Sequence, residues 1–446
     1  MRYVRFFGGV LLAIPCLAQG IGAQEGNPTT IGDTTLHPIA LQDAVKMAQQ
    51  NAPAAVQARG QIRSAESSVR SAYGQFLPNF NFSMGQSKQG GQRFDNTGKL
   101  VAYAAQPWSY STGVSSQVTL FDGFQNVNNL RARRADVDAA EANDVTQQFS
   151  IALAVKTQFA NVLAARESEA AAIAQLEQAQ QQLVVASAKV RAGAATMSDS
   201  LRSVVAVGNA QLALLTASNN VRAASASLTR LVAAPHLVTA NPADTLDLSI
   251  TPVDSVMLAQ LAAHGPVVRQ AEAQFGSAQA SVISSKSTYL PTVSLRFSRS
   301  GSGFDKYYGI GEGVLAYGNT WSINLSLPIF NNFSREDQRT RALVGADNAE
   351  ASLRDARLAS QQSIIQLLGA LQTAEAQIQI NQLSVAAAQE DLRVQQQRYQ
   401  LGASTLVELL TSQSGLNNAR GSLILSRLNY RLARAQIEAI IGRDLQ

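Results

Sequence analysis

The sequence predicts a mostly helical protein that also carries four strands of a kind found in membranes. The chain has 446 residues, and residues 124–192 contain neither glycine nor proline. That run can form one continuous helix of roughly 100 Å at 1.5 Å per residue. Four other stretches of about 8–11 residues alternate apolar and polar side chains, which is the length a tilted strand needs to cross a bilayer.

Residues 1–23 have the features of a secretory signal peptide. Arg2 and Arg5 form a basic start, residues 6–18 are apolar, and residues 21–23 offer a cleavage site. The apolar run is well short of the roughly 20 residues that a spanning helix needs, so a membrane anchor is not expected.

Cys16, the only cysteine of the chain, lies inside this predicted signal. Pro15 stands where a lipidation motif has a small residue, so no lipid anchor is expected at Cys16. Removing the signal removes Arg2 and Arg5 from the 36 basic residues and none of the 31 acidic residues. The formal charge therefore falls from +5 to +3. This small and scattered surplus argues against a nucleic-acid partner.

An internal duplication organises the rest of the chain. Four pairs of segments align in order, the first two at an offset of 213 and the others at 209: 51–58 with 264–271, 76–78 with 289–291, 120–124 with 329–333, and 191–196 with 400–405. We therefore predict a first structural repeat at 24–234 and a second at 253–446. Residues 235–252, with three prolines and several turn-forming residues, are the predicted linker.

Each repeat has the same predicted order of elements. A helix ends at a Leu-Pro pair, Leu77-Pro78 or Leu290-Pro291, and is followed by a strand, a polar glycine-rich loop and a second strand. A very long helix, a turn at Gly193 or Gly402, and a returning helix complete the unit. Glycine suits these reversals because it adopts positive φ without steric cost.

The four strands have one apolar and one polar side each. The residues expected to face lipid are Phe82, Val118, Leu295 and Ile323, and those expected to line a lumen are Asn81, Gln117, Ser294 and Asn324. Four strands cannot close a barrel alone, and an open strand edge in lipid leaves unsatisfied backbone groups. A soluble β-sandwich would explain the alternation but not strands that lead directly into a helix of roughly 100 Å.

The long helix must pack against other long helices. Ala, Gln, Ser and Leu are abundant, and only 15% of residues are charged, which suits helices that pack closely through small side chains. The larger apolar residues of this helix repeat at spacings of 3, 7 and 11, so they are expected to form one stripe facing a partner: Val162, Ile173, Leu176, Leu183 and Val190.

These features together resemble the TolC family of outer-membrane factors, over essentially all of the mature chain. The segments that carry the resemblance are 41–45, 76–78, 120–123 and 289–291, with the paired turns at Gly193 and Gly402. The resemblance implies a mostly helical fold in which three protomers each give four strands to a twelve-stranded β-barrel. Their long coiled-coil helices continue as an α-barrel across the periplasm.

The resemblance also implies a function. The expected activity is that of a passive exit duct in the outer membrane, for a tripartite efflux pump or a type I secretion system. The expected partners are two further copies of the chain, outer-membrane lipid, a periplasmic adaptor protein and an inner-membrane transporter of the RND, ABC or MFS class. No cofactor, metal or enzymatic activity is expected.

In the TolC family the helix turns at the periplasmic end form a gate, and several residues match it. Tyr399 matches a gate tyrosine, and Asp199 matches the aspartate with which that tyrosine pairs. Glu408 matches the first acid of a cation-selective constriction, where crowding of three carboxylates is expected to raise their pKa values. Two departures are Thr411, which replaces a second acid, and Ser404, which replaces a gate arginine.

The turns themselves are the expected contact with an adaptor protein. This set comprises Gly193, Ala194, Thr196, Gly402, Ala403 and Thr405. Each of the singled-out residues also has an ordinary structural role open to it: Glu408 as a solvated helix residue, and Tyr399 as packing near a helix end.

Two other functional classes remain to be compared with the duct. A periplasmic adaptor needs a lipoyl-like β-domain beside one helical hairpin, whereas this chain has two hairpins. A secreted coiled-coil protein would not need four amphipathic strands. An enzyme is disfavoured because His37, His236 and His264 lie far apart, and no metalloprotease, nucleophile-elbow or phosphate-loop spacing occurs.

Overall fold

The structure is a computed structural model that describes residues 35–88, 91–102, 108–241, 243–245, 255–305 and 315–445. The helices are α1 (Leu41–Asn51), α2 (Pro53–Gly74), α3 (Gln125–Arg191), α4 (Met197–Val232), α5 (Ser255–Ala262), α6 (Pro266–Lys286), α7 (Ser334–Gln400) and α8 (Leu406–Ile441). The strands are β1 (His37–Ile39), β2 (Asn79–Ser87), β3 (Gln92–Phe94), β4 (Leu100–Ala102), β5 (Trp108–Phe121), β6 (Val238–Ala240), β7 (Thr292–Asp305) and β8 (Ala316–Ser326).

Some predictions fall outside these ranges. The predicted signal peptide at 1–23, including Cys16, and residues 242 and 246–252 of the predicted linker are not among the described residues. Within the described ranges, every helix is too short or too polar to cross a membrane.

The longest helices match the sequence prediction. Helix α3 has 67 residues and lies within the glycine- and proline-free run. Helix α7 also has 67 residues, and it begins and ends 209 positions after α3. Helices α4 and α8 have 36 residues each and are related by the same offset.

The first helix of each repeat is in fact two helices, which the sequence analysis did not predict. Helix α1 ends before Ala52, whose ψ of 140° is extended, and Pro53 begins α2. Gly265 is likewise extended before Pro266, which begins α6. A proline disfavours helical geometry in the residue before it, but it is well accommodated in the first turn of the next helix.

The four long strands form one antiparallel sheet in the order β2-β5-β7-β8. Val118 pairs with Leu295, which pairs with Ile323, while Phe82 pairs with Val114, four residues before Val118. Residues two apart in a strand lie on the same side, so the pairing puts the four residues predicted to face lipid on one face. The residues that define this apolar face are Phe80, Phe82, Val118, Leu295, Trp321 and Ile323.

The opposite, polar face is lined mainly by serine, with Asn81, Gln117, Ser294 and Asn324 among its members. The apolar face is uncovered in the protomer: Ile323 is 71% exposed and Trp321 is 68% exposed. Among the described residues, β2 and β8 each pair on one side only. The sheet therefore has two open edges.

Two short strands hold the predicted linker against the first repeat. Strand β6 lies inside the predicted interval 235–252 and pairs in parallel with β1, with His37 opposite Val238. Val238 and Ala240 are buried in the same core as parts of α1, α3 and α4. Three-residue strands carry too little alternation to be found by periodicity, so the sequence analysis did not predict this pair.

The predicted apolar stripe of α3 is partly wrong. Val162 is fully buried, but Ile173 is 52% exposed. The buried stripe on this half of the helix is formed instead by Ala172, Ala179 and Ala186. Helix α3 packs against both α4 and α8, so close approach on two sides favours small side chains at the buried positions.

Candidate gate at the helix turns

The two long hairpins end in turns of the same geometry. Gly193 and Gly402 have φ of +70° and +78°, in the left-handed region. After each glycine, the alanine N–H closes the turn: Ala194 donates to Lys189 O at 2.9 Å and Ala403 to Arg398 O at 2.8 Å. This is the Schellman arrangement, which satisfies carbonyls that a helix end leaves without partners.

The returning helices begin with a reciprocal cap. Thr196 Oγ1 accepts a bond from Asp199 N at 3.3 Å, and Thr196 N donates to Asp199 Oδ2 at 3.1 Å. Thr405 and Glu408 form the same pair of bonds, each at 3.3 Å. Each acid thereby satisfies a backbone N–H at the start of its own helix.

The cap changes the expected ionisation of Glu408. The Ser404 hydroxyl donates to Glu408 Oε2, and Thr405 N donates to the same oxygen. The Ser404 bond first, and then the Thr405 bond, lower the pKa of Glu408 below its ordinary value. Within one protomer this effect is opposite to the rise expected from crowding of three carboxylates.

Asp199 and Tyr399 are not joined by a hydrogen bond. The Asp199 carboxylate is bonded by Thr196, which lowers the pKa of Asp199. The Tyr399 side chain is buried, and its Oη has no hydrogen-bond partner among the described residues. Burial first, and then the negative charge of Asp199, raise the pKa of the Tyr399 phenol.

Tyr399 instead contacts a residue that the sequence analysis did not single out. Lys189 Nζ lies 4.1 Å from the centroid of the Tyr399 ring and also donates a hydrogen bond to Tyr399 O. Lys189 is in the last turn of α3 and Tyr399 in the last turn of α7. This contact joins the two hairpins of one protomer at their ends.

The remaining predicted residues are exposed in the protomer. Thr411 is exposed and its hydroxyl donates to Val407 O in its own helix at 2.9 Å. Gly193, Ala194, Gly402, Ala403 and Thr405 are all exposed. In the described part of the chain, no group of three or more His, Cys, Asp or Glu residues could hold a metal ion.

The caps could have been found from the sequence. Thr196 and Asp199 are three residues apart at a helix start, as are Thr405 and Glu408, which is the spacing of a capping box. Lys189 gave no such signal, because a lysine in the last turn of a helix ordinarily caps that helix.

Comparison with known proteins decides the family. The sequence profile of the outer membrane efflux protein family matches residues 44–234 and 257–443. The chain is a member of this family. Its resemblance to TolC-type outer-membrane factors is thereby confirmed, as is its TolC-like fold of long helices with a sheet.

Two curated relatives and two solved structures illustrate the similarity. The pyoverdine export outer membrane protein OpmQ of Pseudomonas aeruginosa is 26% identical over 85% of this chain and 79% of its own length. Protein CyaE of Bordetella pertussis is 26% identical over 91% and 85%. VceC of Vibrio cholerae superposes with a TM-score of 0.72 at 16% identity over 91% and 97%. The Neisseria gonorrhoeae MtrE channel gives 0.73 at 17% identity over 91% and 89%.

Membership in the outer membrane efflux protein family gives the broad function. The protein is an outer-membrane channel that extends into the periplasm and serves as an exit duct for efflux or type I secretion. Members of the family are channel proteins and not enzymes, and they work with adaptor proteins and inner-membrane transporters.

Proposed function

We propose that three copies of this chain form one passive duct without enzymatic activity or cofactor. The observation that carries this proposal is the four-stranded sheet with an apolar face and open edges at β2 and β8. Backbone groups at an open edge have no water to bond in lipid, so each edge must pair with another strand. Pairing β8 of one copy with β2 of the next would close twelve strands around the polar face.

The proposed gate lies where the two hairpins meet. Tyr399, on α7, is buried against residues of α8 and α3. Lys189 makes a cation–π contact with its ring and donates a hydrogen bond to its backbone carbonyl. Closure would hold the α7–α8 hairpin against the α3–α4 hairpin through this contact. Asp199 would act on Tyr399 through its charge and not through a direct bond.

The proposed constriction is set by Glu408, with Thr411 one turn further along α8. Glu408 is exposed at the start of α8, and its lowered pKa keeps it ionised at neutral pH. Three such carboxylates around a narrow opening would favour cations, because low-dielectric walls focus the negative potential.

The proposed adaptor contact is the pair of turns. They present the same backbone in both repeats, so one adaptor hairpin could bind either turn in the same manner. The set comprises Gly193, Ala194, Thr196, Gly402, Ala403 and Thr405. The inner-membrane partner would be an RND, ABC or MFS transporter. The repeats at 24–234 and 253–446, joined by 235–252, would act as two equivalent halves of each protomer.

Cysteine cross-linking tests the assembly. Since Cys16 is the only native cysteine, Ser83→Cys on β2 and Thr320→Cys on β8 can be combined in one chain. A bifunctional maleimide should then give covalent dimers and trimers in isolated outer membranes, while either single variant gives none. A monodisperse monomer that needs no detergent would contradict the proposal.

A further inference from the structure

Arg296 is a charged residue on the polar face of the sheet. The strands β2, β5, β7 and β8 contain three charged residues, Arg296, Arg299 and Asp305, and all three lie on β7. Arg299 is an odd number of residues away and therefore lies on the opposite face, and Asp305 ends β7 about 30 Å further along the strand. Arg296 is exposed, and its register partners are the uncharged Gln117 and Ser322. In the described strands, Arg296 therefore has no charged neighbour on the polar face.

The level of Arg296 in the membrane follows from its position on β7. Strand β7 follows α6, and the helices extend into the periplasm, so β7 begins at the inner boundary of the membrane. Arg296 is four residues after Thr292, the first residue of β7. Four residues rise about 13 Å along a strand, or about 10 Å along the barrel axis at a tilt of about 40°. Arg296 thus lies inside the membrane-spanning part of the sheet and not at either end.

We propose that three copies of Arg296 form a ring of guanidinium groups that binds carboxylate groups of solutes leaving through the barrel. This inference rests on the proposed trimer, in which the polar face lines the lumen. Each copy of the sheet supplies one Arg296, so threefold symmetry places the three side chains at one level. Arginine suits this ligand because its planar fork donates two parallel N–H bonds to a carboxylate.

The width of the barrel brings this ring within reach of a solute. Twelve strands about 4.8 Å apart, tilted by about 40°, enclose a circle with a radius of about 12 Å. An extended arginine side chain spans five bonds from Cα to Cζ, or about 6 Å. Each guanidinium can therefore extend to about 6 Å from the axis, which is less than the Debye length of about 8 Å at physiological ionic strength.

The charge of the ring is large enough to concentrate anions. Three unit charges about 6 Å away, in water and with this screening, enrich a monovalent anion on the axis about fivefold. Arginine keeps its proton at every physiological pH, so this enrichment does not depend on pH. The ring has the opposite charge to Glu408 at the periplasmic end, so an anionic probe added from the barrel side distinguishes the two sites.

Block of the ion current in a planar bilayer tests this assignment. The probe is benzene-1,3,5-tricarboxylate, which has one carboxylate for each arginine, added to the purified full-length protein on the barrel side. The neutral tricarboxamide of the same shape is the control for steric block. The tricarboxylate should block the wild type and the tricarboxamide should not. Arg296→Gln should raise the half-blocking concentration about fivefold or more, whereas Arg296→Lys keeps the charge and should retain most of the block.

Arg299→Gln is the matched control, because it removes the same charge from the opposite face of the same strand. It should be blocked as the wild type is. The ring is refuted if the tricarboxamide blocks equally, if Arg296→Gln leaves the block unchanged, or if Arg299→Gln weakens it as much. Size-exclusion chromatography separates this failure from that of the proposed duct. A channel that is not a trimer would overturn both, whereas a trimer whose block does not depend on Arg296 would overturn the ring alone.

Discussion

Removal of the Lys189 side chain should open the periplasmic end of the channel. Its stack on the buried Tyr399 ring contributes about 1 kcal/mol, and a charged donor to a carbonyl contributes about 1.5 kcal/mol. We therefore expect Lys189→Ala to weaken the contact between hairpins by about 2.5 kcal/mol in each protomer. That corresponds to a shift of about 70-fold in the equilibrium between joined and separated hairpins.

Single-channel conductance in a planar bilayer measures this shift. Lys189→Ala should increase the time spent in high-conductance states over that of the wild type. Arg191→Ala is the matched control, because it removes a basic residue from the same last turn of α3 and leaves the Tyr399 contact in place. It should behave as the wild type.

Tyr399→Phe separates this explanation from a hydroxyl-mediated gate. The ring and the backbone carbonyl remain, and the removed Oη has no hydrogen-bond partner among the described residues. The variant should therefore stay closed. If Tyr399→Phe opens the channel while Lys189→Ala does not, closure depends on the hydroxyl, and the reasoning from the Lys189 contact is wrong.

Two pairs of substitutions test the membrane face and the constriction. Ile323→Arg should destabilise the folded protein in lipid by about 2–4 kcal/mol, whereas Asn324→Arg on the polar face should cost far less; equal losses of folded protein would refute the face assignment. Glu408→Gln keeps a capping acceptor but removes the charge, so cation preference in reversal-potential measurements should fall, and an unchanged preference would place selectivity elsewhere. That preference is present above the pKa of Glu408 and is lost as pH falls through it. Ser404→Ala removes the bond that lowers this pKa, so the loss should move to higher pH, and an unmoved profile would contradict this cause.

Much of the fold could be predicted because its signals are long or repeated. The 67 residues of α3 lie in a run without glycine or proline, and the turns at Gly193 and Gly402 need positive φ. Strand faces followed from alternation, since the pairing of Val118 with Leu295, and of Leu295 with Ile323, joins residues of one predicted side. Each of these depends on local geometry that one segment determines.

The features that could not be predicted depend on which segments of the chain contact one another in the fold. Ile173 is exposed and Ala172 buried because α3 is packed from two sides, which its own sequence does not indicate. The β1–β6 pair joins residues about 200 positions apart. Lys189 bonds Tyr399 because the two repeats place their helix ends together, and neither residue is unusual in its own helix.

The two repeats share a backbone but use one basic position differently. Arg398 corresponds to Lys189 at the offset of 209, and its Nη2 donates to Ala403 O in its own turn at 3.2 Å. Lys189 instead reaches the other hairpin. The Schellman bonds and the capping boxes lie within single hairpins, so both turns stay intact when the hairpins separate. Opening at this end would break the Lys189–Tyr399 contact without unfolding either turn, which keeps its free-energy cost within the range that binding of a partner protein can supply.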